Sequence, residues 1–170
     1  MSKPQKFIIV AGLAAGAVLG MLGTLVSSQR VRNLSWALDS TGLIVATCLL
    51  ALFYFRKGKD FVAAGFLVYA IGEAVMLGGT AGNLQDSMPA FAAGTALWSA
   101  GLLLTSFPPA FVMWGRLVGT IAGVLFAIVS LTIFAGHPLS PVSRPLPYFA
   151  YPFLVLTFIG WIWTVLKRGD

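Results

Sequence analysis

Six apolar runs, each close to the thickness of a bilayer's hydrocarbon core, take up almost the whole chain: residues 7–26, 34–55, 61–79, 89–107, 110–134 and 148–166. A spanning helix rises about 1.5 Å per residue and needs roughly 20 mostly apolar residues. In hydrocarbon the backbone must satisfy its own hydrogen bonds, so a single run of this length can only be helical. The runs therefore predict an all-α, polytopic membrane bundle of six transmembrane helices, read as a single transmembrane domain over residues 1–170. Composition agrees, because 58% apolar and 9% charged residues leave too few polar side chains to cover a water-soluble domain.

Charge sets the expected orientation. Of the eleven Lys and Arg residues, Arg30, Arg32 and Arg144 fall at one end of the spans. Lys3, Lys6, Arg56, Lys57, Lys59, Arg116, Lys167 and Arg168 fall at the other. The positive-inside rule makes the second end cytoplasmic, with both termini and the Arg56–Asp60 turn inside a cytoplasmic (inner) membrane. Spread along helix ends, these cations form no aromatic-bearing basic face, so nucleic acid is not an expected partner. Expected partners are the lipid bilayer, other membrane subunits or further copies of the chain. Lys3 and Lys6 ahead of an apolar stretch imitate a secretion signal, but the stretch is long for a signal core and reads as a retained first helix.

Two spans carry glycine stripes. Gly12, Gly16 and Gly20 recur every fourth residue in the first, and Gly115, Gly119 and Gly123 in the fifth. Helices in lipid associate through close backbone approach, which such stripes permit. They predict either packing within the bundle or a docking face for another subunit. A faint echo also runs through the chain at constant offset: Ala14-Ala15-Gly16 with Leu19 and Gly23 against Ala92-Ala93-Gly94 with Leu97 and Gly101, and Trp36 against Trp114. Read as a duplication, it is a 3+3 inverted repeat, the plan by which many transporters build a site near the midplane. Against it stands the ease with which Ala/Gly/Leu helices align by chance.

Ionisable residues inside spans are costly unless they face a cavity or a partner, and so point to function. Glu73 lies deep in the third run, with Tyr69 one turn before it on the same face. Asp39 lies beside Ser40 in the second, near its outer end, where it either lines a polar path or caps the helix. Arg116 shares a face with Gly119 and Gly123, and either pairs with a carboxyl or snorkels to the inner surface. These four, Glu73, Asp39, Tyr69 and Arg116, form the expected substrate or ion pathway. Asn83, Gln85 and Asp86 in the third loop, with His137 and Arg144 in the proline-rich fifth, form an expected outer vestibule.

No catalytic motif is present: the chain has no serine elbow, metalloprotease helix or phosphate loop. His137 is the single histidine and Cys48 the single cysteine, so no metal site, cofactor or disulfide framework is expected. Cys48 reads as a packing residue. The functional reading is a small integral membrane transporter, channel or solute-binding membrane subunit with a polar cavity near Glu73. Its rivals are a structural or accessory subunit that docks through the glycine stripes, and a membrane enzyme acting on a lipid or quinone.

Overall fold

The computed structural model describes residues 1–79 and 83–168, with the side chain of Arg168 outside the described residues. One helix forms over each apolar run: α1 (Lys3–Leu25), α2 (Gln29–Arg56), α3 (Asp60–Gly79), α4 (Met88–Ser106), α5 (Met113–Phe134) and α6 (Tyr151–Arg168), the last entered through a 3₁₀ turn at Tyr148–Ala150. No strand forms among the described residues. All six helices are long and apolar enough to cross a membrane.

Local chemistry explains where the helices begin. Ser2 and Gln5 make a reciprocal capping box ahead of α1, with Pro4 in the first turn, where its missing N–H costs nothing. α2 starts five residues before its apolar run, because Ser28 caps Val31 N. The polar turn that follows can lie outside the hydrocarbon while remaining helical. That extension puts Asp39 ten residues inside α2, roughly 15 Å from its start, deeper than the apolar boundary implied.

Each helix packs on its neighbours in sequence, and α6 returns to α1, so the six close into a ring. Two arginines clasp helix ends in parallel ways. Arg32 on α2 donates to Gly23 O and Val26 O at the end of α1, at 3.3 and 2.7 Å. Arg116 on α5 donates to Ser106 O and Phe107 O at the end of α4, at 2.8 and 2.6 Å. In both cases a cation satisfies carbonyls that a helix terminus leaves orphaned. The constant offset of the sequence echo does not pair Arg32 with Arg116, so the parallel is one of role and not of register.

Both glycine stripes are spent inside the chain. A Cβ on Gly12 would lie 2.5 Å from Gly42 O on α2, and Gly16 abuts Leu43. On α5, Gly115 lies against Gly160 of α6, Gly119 against Ser106 and Thr157, and Gly123 against Leu103 of α4. The α3–α4 crossing is just as close, since a Cβ on Gly101 would lie 2.7 Å from Gly65 O and one on Gly72 3.0 Å from Gly94 O. Those four glycines are paired seven residues apart on each helix, a spacing that brings them back to one face. Inside the ring, toward the α2–α3 end, an aromatic cluster of Tyr54, Phe66, Phe111, Trp161, Phe158 and Tyr69 fills the space with edge and stacked contacts of 4.8–6.0 Å between centroids.

Candidate functional site

Five buried threonines in this bundle are satisfied by their own helix. Thr47, Thr95, Thr105, Thr157 and Thr164 each donate to the carbonyl four residues earlier, at 2.6–3.0 Å. This is the ordinary way for a short polar side chain to sit in an apolar helix. They need no functional account.

A different group of polar atoms is left over. Among the described residues, five buried side chains carry an atom without a well-formed hydrogen bond: Asp39 Oδ1, Tyr69 Oη, Glu73 Oε1, Trp98 Nε1 and Ser106 Oγ. Four of the five gather in one place. Asp39, Glu73 and Trp98 line the same cavity, and the Tyr69 ring stacks on Trp98 at 5.7 Å with an 8° interplanar angle. Native interiors rarely leave such atoms orphaned, and a functional role, strain or a bound water or ion accounts for those that are.

The cavity lies inside the ring. Its floor is Glu73, 1% exposed, six residues before the end of α3, which is roughly 9 Å of helical rise. Ser40 of α2 donates a 3.0 Å hydrogen bond to Glu73 Oε2. Asp39, 8% exposed, precedes Ser40 and is an electrostatic neighbour of Glu73. Gly20 gives Asp39 its room, since a Cβ there would lie 2.9 Å from Asp39 Oδ2. The walls are largely apolar, with Phe91, Trp98, Leu154 and Phe158 among them, and no Lys or Arg among the described residues lines the cavity. Its space for the centres of water-sized molecules is about 80 Å³, several times the roughly 10–15 Å³ that one water needs.

From Glu73 the cavity runs to the end of the ring where α1 meets α2, α3 meets α4 and α5 meets α6. There it is bordered by Thr24, Asn33, Asn83, Ser87 and Pro141. Asn83 shapes its loop by accepting from Gln85 N and Asp86 N, both at 2.9 Å. Pro141 is held over the ring by the Tyr151 hydroxyl, which donates to its carbonyl at 2.8 Å.

The structure thus brings together three of the four pathway residues expected from sequence: Glu73, Asp39 and, through Trp98 and Glu73, Tyr69. Arg116 is elsewhere, half-buried and clasping the end of α4. Of the vestibule set, Asn83 borders the cavity, whereas Gln85 and Asp86 are exposed beside it. His137 and Arg144 are exposed and do not line it; Arg144 stacks over Tyr148 at 4.2 Å. Ser40 and Trp98 were not among the expected site residues. A tryptophan in the middle of a span, far from the interfacial belt where its N–H would find water, was the signal that could have marked Trp98.

Part of the chain is similar to a known transport protein. A Na(+)/H(+) antiporter NhaA from Janthinobacterium sp. (strain Marseille) is 32% identical over 136 residues, which covers 78% of this chain and 26% of that protein. This chain therefore spans about a quarter of the length of the curated relative it matches. No family model matches the sequence. No solved structure matches it either.

Proposed function

We propose that this chain is a multi-pass transport protein of the cytoplasmic membrane, or a module of one, in which the Asp39–Glu73 pair is the cation-binding element. The observation that carries this reading is a pair of buried carboxyls at the floor of a cavity that no Lys or Arg among the described residues lines. An acid pair of this kind is expensive inside an apolar bundle, so it needs a compensating proton or cation. The partial similarity to a Na(+)/H(+) antiporter supports the same chemistry. In this reading the termini and the basic Arg56–Lys59 turn are cytoplasmic, and the cavity opens outward.

The accessory-subunit alternative is weaker, because both of its docking stripes are covered by other helices of the same chain. The test is proton flux into vesicles that hold the purified protein and a pH-sensitive dye, with gradients of sodium, potassium and tetramethylammonium chloride imposed in turn. At least one salt should drive proton movement above that of protein-free vesicles, and Glu73→Gln should abolish it. Flux no greater than in protein-free vesicles with every salt would reject the proposal.

A further inference from the structure

The cavity is a poor cage for a bare metal ion. Hard cations are held by about six or more oxygens in a tight shell. Here the acidic oxygens come from only two carboxyls, Glu73 Oε2 already accepts from Ser40, and the surrounding wall is largely apolar. The space is also several times larger than one water. An ion lodged there would keep much of its hydration and leave the apolar wall unused.

An organic cation uses both halves of the site. Its charged nitrogen matches the Asp39 and Glu73 carboxyls, and no Lys or Arg among the described residues lines the cavity beside them. Its carbon body fits the Phe91, Trp98, Leu154 and Phe158 walls, which take apolar surface out of water. Arg32 of α2 is held by the carbonyls of Gly23 and Val26, so it does not occupy the acids. The unpartnered Trp98 N–H adds one donor for a polar atom on the ligand.

We infer that the cavity between Asp39, Glu73 and Trp98 receives a small organic ammonium cation, with nitrogen at the two carboxyls and carbon against the aromatic wall. This names the substrate class for the transport site proposed above and rests on that reading. The experiment is isothermal titration calorimetry on the whole chain in nanodiscs, with butylammonium chloride, sodium chloride and the neutral counterpart 1-butanol. Saturable heat is expected with butylammonium, none with 1-butanol or sodium, and at least a tenfold weaker affinity in Glu73→Gln. Sodium binding without amine binding would overturn the ammonium assignment while leaving the transport proposal in place. Equal binding of butylammonium and 1-butanol would also overturn it, since the acids would then contribute nothing. Neither comparison depends on a variant that has to fold. Amine binding together with a failed flux test would reject transport and keep the binding site.

Discussion

Ser40 on α2 donates its hydroxyl to Glu73 Oε2 on α3 at 3.0 Å, tying two helices together at the floor of the cavity. The bond is buried, so deleting the donor leaves Glu73 Oε2 without its protein partner. Such a loss typically costs about 1–3 kcal/mol.

Ser40→Ala should therefore lower the detergent melting temperature. In a Glu73→Leu background the same change should cost less, because the acceptor is already gone. A thermal-melt double-mutant cycle measures the coupling, expected at about 0.5–3 kcal/mol. Strict additivity would show that the contact contributes nothing to stability.

The glycines should separate folding from binding. Gly101→Ala places a Cβ 2.7 Å from Gly65 O and 2.9 Å from Tyr69 N, both backbone atoms that cannot yield cheaply. Overpacking of this kind typically costs about 1–3 kcal/mol. For Gly20→Ala the nearest atoms all belong to the Asp39 carboxyl, the end of a side chain that can rotate. The expected result is a lowered melting temperature for Gly101→Ala, and near-normal melting with weakened ligand binding for Gly20→Ala. Gly78→Ala, with nothing within 4 Å, should change neither.

Arg116 should behave as a structural clasp. Its contacts are with Ser106 O and Phe107 O, and it does not line the cavity. Arg116→Gln should destabilise the protein by about 1–2 kcal/mol, within the range for charged hydrogen bonds at a half-exposed site. Its effect should add to that of Glu73→Gln. Strong coupling between the two would mean that they share a network not visible in this arrangement.

Orientation can be tested in a Cys48→Ala background. Gln85→Cys and Lys57→Cys lie on exposed loop positions at opposite ends of the ring. An impermeant maleimide added to intact cells should label position 85 and spare position 57. The reverse pattern would invert the proposed topology and turn the cavity toward the cytoplasm.

Much of this protein is local and therefore readable from the chain. Hydropathy over roughly 20 residues determines that a segment becomes a spanning helix, and all six helices follow from that alone. Glycine spacing marks α1 and α5 as close-packing helices by helical periodicity, and both pack that way. The depth of Glu73 in its run marked it as costly, and it is buried. Which partner meets it was not legible. Asp39 lies 34 positions earlier, and whether the two share a cavity depends on how far α2 extends, how α2 and α3 are rotated, and where the ring closes. α2 starts earlier than hydropathy indicates, because helix continues past the hydrocarbon when a serine caps it. Arg116 illustrates the converse: its charge invited a carboxyl partner, but helix-end carbonyls lay closer. Nearest-neighbour chemistry along a helix belongs to the sequence. The meeting of Asp39, Glu73 and Trp98 from three helices exists only once packing has set their rotation and depth.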